Sequence, residues 1–368
     1  QPSQVMPGNG SDENLFFALR AFCDESHPLA FADITYGCYG VWCGLLHIPT
    51  HIIPLKEDFT LDPADYHGLH ETIVIANPNA PTGLCLPRDA IEGILRSNPD
   101  SVVIVDEAYV DFGGESCVPL IDQYENLLVV QTFSKSRQLA GARLGLAMGN
   151  AALIADLNRV KFSLNPYNIN RLTLKAGQAA LEDTAYFEKT RAAIMDTRAW
   201  TMQQLTDRGF TVLDSRTNFV FASTERINGG ALYKKLKENG ILVRHFDAPR
   251  IENWLRITIG TPEDLALEGH LSGFFARKGI VFDMETGLFR VENQYSSQVQ
   301  LVGHGQKYAM ARKALQRNGI LANRNVVSDI CVETGNLATP GFGICRDGKV
   351  VIEAKTIEEL LEQLKVLF

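Results

Sequence analysis

The sequence predicts an α/β fold whose largest domain is built on a mainly parallel sheet. Three short runs are apolar on both faces and rich in β-branched residues, at positions 72–75, 102–105 and 127–130. Strands that helices cover on both faces have this composition. Further along, short strands alternate with a helix, which indicates a smaller α+β domain.

The order of the predicted elements divides the chain into three domains. A helix is predicted to begin near Ser11, and later helices and short strands are predicted at 168–183, 186–208, 210–213, 219–221, 231–239, 241–243 and 255–258. The tail carries a strand, a helix and a closing helix capped by Thr356 and Glu359, which indicates an additional small α/β domain. We predict a large domain over 1–183, a small domain over 184–268, and a linker with a small domain over 269–368.

Composition and charge exclude several classes of partner. The chain has 368 residues, a net charge of -8 and a pI near 5.6, so it offers no basic stripe for nucleic acid. It shows neither a leader nor an apolar run of membrane-spanning length. Its seven cysteines form no CxxC pair and no zinc-ligand spacing. We therefore expect a soluble cytoplasmic protein with reduced thiols, no metal site, and no nucleic-acid or membrane partner.

Polar residues follow each of the three apolar runs. Asn79 comes after the first run, Asp106 and Tyr109 come at the end of the second, and Ser134 and Lys135 come after the third. Open α/β sheets bind their ligands at the carboxyl ends of the strands. The sequence therefore predicts one ligand site built from these three loops.

These residue types suit an aldehyde cofactor that carries a ring nitrogen, a phenolic oxygen and a phosphate. Lys135 offers an amine for the aldehyde, and Asp106 offers a carboxylate for a protonated ring nitrogen. Asn79 and Tyr109 can donate to the phenolic oxygen, and Tyr36 has a face that can stack on the ring.

An anion cradle is predicted where the first helix begins. Gly10, Ser11 and Asp12 place free amide groups at the helix start, and Arg143 adds a guanidinium close to Lys135. Each feature alone has an ordinary structural explanation: a lone lysine is usually a solvated charge, and an Asp at a strand end is usually a cap or turn residue. Their joint occurrence in sheet order favours the functional interpretation.

Successive motifs of the chain resemble those of the histidinol-phosphate aminotransferase family, within the fold type I pyridoxal-phosphate aminotransferases of class I and II. The similar segments are Gly-Ser-Asp-Glu at 10–13, Thr-Tyr-Gly at 35–37, Asn-Pro-Asn-Ala-Pro-Thr-Gly at 77–83, Asp-Glu-Ala-Tyr at 106–109, Thr-Phe-Ser-Lys-Ser at 132–136, Leu-Ala-Gly-Ala-Arg-Leu-Gly at 139–145 and Leu-Arg-Ile-Thr-Ile-Gly-Thr at 255–261. The resemblance covers about residues 5–264 and implies a fold type I large domain that binds pyridoxal 5'-phosphate.

The resemblance also implies roles for single residues. Lys135, Asp106 and Tyr109 would be catalytic, with Lys135 binding the cofactor and moving the proton. The cofactor would be held by Gly10, Ser11, Asp12, Tyr36, Asn79, Asp106, Tyr109, Ser134, Lys135 and Arg143. Arg256 would bind the substrate carboxylate. Arg244 would form a second anion site, and Asn168 and Tyr167 would line the substrate pocket. Before the resemblance is considered, Arg256 and Arg244 could equally form structural ion pairs.

The implied reaction is amino transfer between glutamate and imidazole-acetol phosphate in histidine biosynthesis, catalysed by a homodimer. Two alternatives stay open. One is another pyridoxal-phosphate aminotransferase or decarboxylase that acts on a phosphate or aromatic substrate. The other is a non-catalytic, truncated remnant with a binding role.

Both ends of the chain differ from the family pattern. The family has several dozen residues before the Gly-Ser-Asp helix, including a tyrosine that reaches the neighbouring subunit, so we expect an N-terminal truncation. About a hundred residues follow the family's usual end. With their strand, helix, Ala-Thr-Pro step at 338–340 and closing helix, these residues are similar to a small thioredoxin-like domain.

Overall fold

The computed structural model describes residues 1–260, 280–283, 288–291, 295–334, 341–346 and 348–368. The chain forms two compact units, Gln1–Leu267 and Glu268–Phe368. The division of the first unit at residue 183 stays a prediction. The Ala-Thr-Pro step at 338–340 lies outside the described residues.

The first unit contains two sheets and seven helices among its described residues. Its strands are β1 Val5–Gly8, β2 Leu29–Ala32, β3 Thr50–Ile53, β4 Thr72–Ala76, β5 Val103–Asp106, β6 Leu127–Thr132, β7 Gly145–Gly149, β8 Thr211–Val212, β9 Phe219–Ser223, β10 Arg244–His245 and β11 Trp254–Thr258. Its helices are α1 Gly10–Phe22, α2 Cys38–Leu46, α3 Arg88–Ser97, α4 Ala151–Leu164, α5 Arg171–Glu182, α6 Thr184–Asp207 and α7 Gly229–Glu238.

The larger sheet has seven strands in the order β1-β7-β6-β5-β4-β2-β3. The five strands from β6 to β3 run parallel, and β7 and β1 are antiparallel additions at one edge. The two faces of the central strands enter different cores. Val74, Ile104 and Leu128 pack with α1 and α4, whereas Ile75 and Val105 are among the residues that pack with α3. The predicted mainly parallel sheet with helices on both faces is therefore confirmed.

The smaller sheet of the first unit has four antiparallel strands in the order β10-β11-β9-β8. The predicted strand at 241–243 is wrong, because pairing with β11 begins only at Arg244. Gly240, in the left-handed region at φ 77°, ends the turn after α7, and the chain needs the next three residues to reach the sheet.

The second unit contains β12 Ile280–Asp283, β13 Leu288–Val291, β14 Ser297–Val302, α8 Gly305–Arg317, β15 Ile320–Asn323, β16 Ile330–Glu333, β17 Phe342–Arg346, β18 Lys349–Ala354 and α9 Ile357–Leu367. Strands β12 and β13 form an antiparallel pair, and the other strands form a sheet in the order β15-β14-β16-β17-β18. Strands β15, β14 and β16 are parallel, and β17 and β18 are antiparallel to their neighbours.

The second unit buries one core. Leu315 of α8 and Leu360 of α9 pack against Val332 and Ile344 of the sheet. The N-terminus of α9 is capped as predicted by Thr356, whose Oγ accepts from the Glu359 N–H at 3.2 Å. The Glu359 carboxylate accepts from the Lys355 N–H at 2.7 Å, one residue earlier than a regular capping box requires.

Within the part of the chain that the structure describes, none of the helices combines the length and the apolar character that a bilayer crossing requires.

Candidate active site

The ends of β4, β5 and β6 open into a cavity of about 200 Å³ in the first unit. Parallel strands bring their carboxyl ends to one edge, so the loops that follow them meet there. The lining residues are Ser11, Asp12, Tyr36, Ala76, Pro78, Ala80, Asp106, Ala108, Tyr109, Thr132, Ser134, Lys135, Arg143 and Arg256. Nine of the fourteen predicted site residues are in this set.

Asp106 is the buried carboxylate of the cavity, with 5% of its surface exposed. Its Oδ2 accepts a 2.7 Å hydrogen bond from the Tyr39 hydroxyl, and its Oδ1 accepts one of 3.2 Å from the Ala108 N–H. Burial raises the pKa of Asp106 to about 6, although the two donors and the Lys135 charge act in the opposite direction. Asp106 is therefore a carboxylate that a cationic group in the cavity would stabilise in its charged form.

Lys135 and Tyr109 face each other across the same cavity. The Lys135 ammonium lies 5.3 Å from the centre of the Tyr109 ring, and Tyr109 packs edge-on against Phe219 at 5.2 Å. Across residues 1–260, no hydrogen bond or ion pair engages Lys135 Nζ or the Tyr109 hydroxyl. A half-buried amine and a phenol are thus both available to a ligand.

The N-terminus of α1 approaches the sheet closely at the other side of the cavity. Gly10 has φ 80°, a conformation that favours glycine, and a Cβ there would lie 2.7 Å from an Arg143 nitrogen. A Cβ on Gly145 of β7 would lie 2.5 Å from the Ser11 nitrogen. The two glycines allow the helix start, with its free amides, to lie against the strand. Gly10 itself does not belong to the cavity lining.

Asp12 links the aromatic and the cationic sides of the cavity. Its Oδ2 lies 3.1 Å from an Arg143 nitrogen, and its Oδ1 accepts a 3.0 Å hydrogen bond from the Tyr36 hydroxyl. Arg143 has a left-handed backbone with φ 55°, which turns the chain between Lys135 and β7. The helix start, Ser134 and this guanidinium could together hold one anion.

Arg256 and Arg244 lie opposite each other on paired strands. They are register partners in β11 and β10, and both lie close to the Phe246 ring, at 5.8 Å and 5.4 Å from its centre. Arg256 is half-buried and lines the cavity, whereas Arg244 is exposed and lies outside the lining. In residues 1–260, neither arginine forms an ion pair, so the alternative of structural ion pairs is not what the structure contains.

Besides Gly10 and Arg244, three more predicted site residues lie outside the cavity lining. Asn79 is outside the lining because its amide group donates to the Ile34 carbonyl at 2.9 Å and to Thr82 Oγ at 3.0 Å. Asn168 donates to the Glu13 carboxylate, and Tyr167 is 95% exposed. The structure does not bring these side chains to the cavity.

Sequence reasoning missed Tyr39 and Thr132. Tyr39 is fully buried and bonds to Asp106, and it lies three residues after Tyr36, in the first turn of α2. That spacing was a usable signal. Thr132 lines the cavity and its Oγ accepts from the Ser134 N–H at 3.1 Å, which fixes the start of the lysine loop.

The fold and this site define a class of protein. Residues 1–267 match the family model of aminotransferase class I and II, and the chain belongs to this family. It is therefore an enzyme chain of the aminotransferase type, whose cofactor is pyridoxal 5'-phosphate. The residues present fit this cofactor, because one cavity is lined by a buried carboxylate, by an arginine beside a helix start, and by a lysine amine that forms no hydrogen bond or ion pair within residues 1–260.

Curated relatives narrow the class to histidinol-phosphate aminotransferases. The chain is 50% identical over 280 residues to histidinol-phosphate aminotransferase 1 of Bordetella parapertussis, covering 75% of this chain and 79% of the relative. It is 53% identical over 267 residues to the enzyme of a Marinomonas species, covering 72% and 76%.

A solved structure agrees with these relatives. A putative histidinol-phosphate aminotransferase from Erwinia carotovora atroseptica is similar with a TM-score of 0.65 and 27% identity, over 72% of this chain and 78% of that one. The structure of the Sinorhizobium meliloti enzyme in complex with pyridoxal-5'-phosphate has a TM-score of 0.66 at 21% identity, covers 72% and 74%, and supports the fold alone.

The second unit has a different match. Residues 296–365 match the family model described as the iron ABC transporter C-terminal domain. The comparisons give no support to the predicted thioredoxin-like domain. An additional C-terminal α/β domain is present, as predicted, but its strand and helix pattern was too short to identify a family.

Proposed function

We propose that the first unit catalyses amino transfer between glutamate and imidazole-acetol phosphate, the reaction that the names of its curated relatives indicate. The observation that carries the proposal is the shared cavity of Lys135 and Asp106. An amine that reacts with an aldehyde and a buried carboxylate that pairs with a ring nitrogen are the two groups this cofactor chemistry requires.

Five residues would hold the cofactor. Asp106 would accept from the protonated ring nitrogen, and Tyr36 would stack on the ring. Ser11, Ser134 and Arg143 would bind the phosphate together with the free amides of α1. Since Arg143 already pairs with Asp12, phosphate binding requires that pair to open or to be shared.

Tyr109 supplies a hydroxyl for the phenolic oxygen of the cofactor. Its ring is fixed by the edge-on contact with Phe219, so the hydroxyl is positioned before a ligand arrives. Asn79 was expected to share this task. Its amide group donates to the Ile34 carbonyl in the loop after β2 and to Thr82 Oγ in its own loop, and we assign Asn79 to holding these two loops together.

Lys135 moves the proton of the reaction. Bound cofactor supplies an electron sink for the substrate carbon that loses its proton. With the cofactor bound, Lys135 Nζ would take the proton from the substrate Cα and hold it for its return within the cavity. A half-buried amine that no hydrogen bond or ion pair holds within residues 1–260 is free to make this movement.

The substrate carboxylate is assigned to Arg256, whose planar guanidinium can form two parallel hydrogen bonds. Arg244 on the neighbouring strand would bind the second anion, which is the phosphate of the imidazole substrate or the side-chain carboxylate of glutamate. Asn168 and Tyr167 require a movement of the segment before α5 to reach either substrate.

A second copy of the chain is the proposed partner. Large apolar side chains are exposed on and beside α2, α4 and α5, namely Val41, Leu45, Phe162, Leu164, Tyr167 and Leu172. Exposed apolar side chains in this number are typical of an interface. A Leu172→Glu variant that stays dimeric in light scattering would contradict the involvement of α5.

All seven cysteines are free thiols, which supports the cytoplasm as the proposed location.

Reconstitution with pyridoxal 5'-phosphate tests the proposal. We expect the visible absorbance of bound cofactor, its bleaching by glutamate, and its absence in Lys135→Ala. Lys175→Ala is the matched control, because Lys175 is an exposed lysine whose Nζ lies 3.1 Å from Gln178. Among acceptors, imidazole-acetol phosphate should give a higher kcat/KM than phenylpyruvate or oxaloacetate. A wild-type spectrum without bound cofactor would contradict the proposal.

A further inference from the structure

Three potential metal ligands meet in the second unit, on the paired strands β16 and β17. The donor atoms of Cys331, Glu333 and Cys345 lie within 4.8 Å of one another. Cys331 and Cys345 are register partners of the antiparallel pair β16–β17, and Glu333 follows two residues after Cys331. The sequence spacing gives no ligand motif, because the sheet register is what brings the three groups together.

The alternation of side chains along a strand explains why these three share one face. Ile330, Val332 and Ile344 enter the core that α8 and α9 cover. Residues one position along must point to the opposite face of the sheet. Cys345 is nevertheless only 3% exposed, and Cys331 and Glu333 are half-buried.

The local charge favours a cation. Glu333 has Gly343 as its register partner, which has no side chain to offer a hydrogen bond. Among the side chains that the structure describes, no lysine, arginine or histidine forms an ion pair with Glu333, and no side chain donates a hydrogen bond to it. Half-buried carboxylates are normally paired, since leaving water is costly for a charge.

We infer that Cys331, Glu333 and Cys345 form a site for a zinc-type divalent cation, with three protein ligands and a fourth position open to water or another ligand. Two thiolates and one carboxylate form the mixed sulfur and oxygen set that Zn²⁺ accepts. In tetrahedral zinc sites the bonds are about 2.3 Å to sulfur and about 2.1 Å to oxygen, so neighbouring donors lie roughly 3.5–3.8 Å apart. Closing the present arrangement around an ion requires side-chain shifts of about 1 Å.

A disulfide is the competing fate of the two thiols. Two cysteines that are register partners in an antiparallel pair can come close enough to form a disulfide on oxidation. Cys331 and Cys345 are such partners, and both are free thiols in the structure. A disulfide does not use the carboxylate, whereas a metal site does. Glu333 is therefore the residue that separates the two possibilities.

Titration of the reduced full-length protein with Co²⁺ tests the site, because cobalt bound by thiolates gives a charge-transfer band that Zn²⁺ then removes by displacement. We expect one equivalent of such cobalt in the wild type and none in Cys331→Ser or Cys345→Ser. Glu333→Gln should keep the band and weaken binding by at least about tenfold, the lower end of the cost of losing a partner of a metal site. Cys85→Ser, a half-buried free cysteine of the first unit, is the matched control and should bind as the wild type does.

A second measurement needs no substitution. Zn²⁺ should slow alkylation of Cys331 in the intact wild-type chain, measured by mass spectrometry of its peptide, while alkylation of Cys85 stays unchanged. Absence of the cobalt band, equal affinity in Glu333→Gln, or equal Cys331 alkylation with and without Zn²⁺ would overturn the inference. Recovery of the purified protein with Cys331 and Cys345 linked, and with no metal binding after reduction, would assign the pair to a disulfide instead.

Discussion

The Tyr39 hydroxyl donates a 2.7 Å hydrogen bond to Asp106 Oδ2, and both side chains are buried in the first unit. Tyr39 lies in α2, which packs on the sheet through its aromatic side, with Phe31 and Tyr36 each edge-on to the Tyr39 ring. The carboxylate assigned to the cofactor's ring nitrogen is thus positioned by a residue that is not part of the cavity lining.

Replacing Tyr39 by Phe should destabilise the protein by about 1.5–3 kcal/mol at neutral pH, because a hydrogen bond to a charged group is lost while the ring is kept. Tyr66→Phe is the matched control. Tyr66 is equally buried, and its hydroxyl has no hydrogen-bond partner in the structure. Removing that hydroxyl should be neutral or stabilising. Chemical denaturation measures both, and equal losses in the two variants would contradict the role given to Tyr39.

In the cofactor-free protein, the contribution of Asp106 to stability should fall as the pH rises from about 4 to about 6. Burial raises the pKa of Asp106 from 3.8 to about 6, so the folded chain binds this proton more strongly than the unfolded chain does. The resulting contribution, about 3 kcal/mol, is fully present below pH 4 and is lost as the pH passes 6. Asp106→Asn should remove this part of the pH profile, and Asn in place of the exposed Asp100 should not. Identical profiles in wild type and Asp106→Asn would be the contrary result.

Gly145→Ala should weaken both folding and cofactor binding. Its Cβ would lie 2.5 Å from the backbone of Gly10 and Ser11, so the start of α1 must move away from β7, at a cost of about 1–3 kcal/mol. Gly141→Ala is the control, since nothing lies within 4 Å of its added Cβ. Thermal unfolding and cofactor titration measure the two effects. A Gly145→Ala protein that binds cofactor normally would show that the helix start does not contribute to the anion site.

Arg143→Gln should lower the affinity for pyridoxal 5'-phosphate by about tenfold to a hundredfold, the worth of one charge-assisted hydrogen bond. Affinity for pyridoxal, which lacks the phosphate, should change little. The ratio of the two dissociation constants is the readout. Arg159→Gln is a suitable control because Arg159 forms an exposed ion pair with Asp156 on α4. A parallel loss for both ligands would place Arg143 outside the phosphate site.

Much of the first unit could be predicted from sequence because its signals are local. Runs that are apolar on both faces mark β4, β5 and β6, and the loops that follow these parallel strands therefore meet at the cavity. The placement of Asn79 could not be predicted in this way. Its amide donates hydrogen bonds to the Ile34 carbonyl and to Thr82 Oγ, and Ile34 comes close to Asn79 only when the chain folds.

The register of strand pairing explains the other differences between the sequence predictions and the structure. Arg244 and Arg256 are 12 residues apart and were both assigned to substrate, but the pairing of β10 with β11 leaves Arg244 on the exposed edge strand. In the second unit, Cys331 and Cys345 become neighbours only through β16–β17 pairing. No periodicity within either strand indicates which residue of the other it will face.

The ion pair between Asp12 and Arg143 has a consequence for selectivity toward small anions. Any anion that binds this guanidinium must displace or share a carboxylate tethered to the same chain, which acts at an effective concentration of about the millimolar range. Free sulfate or inorganic phosphate brings no contact outside the anion site to offset that competition. A phosphate ester makes additional contacts through the rest of its structure elsewhere in the cavity. The Asp12 carboxylate should therefore weaken the binding of simple anions more than the binding of the larger ligand.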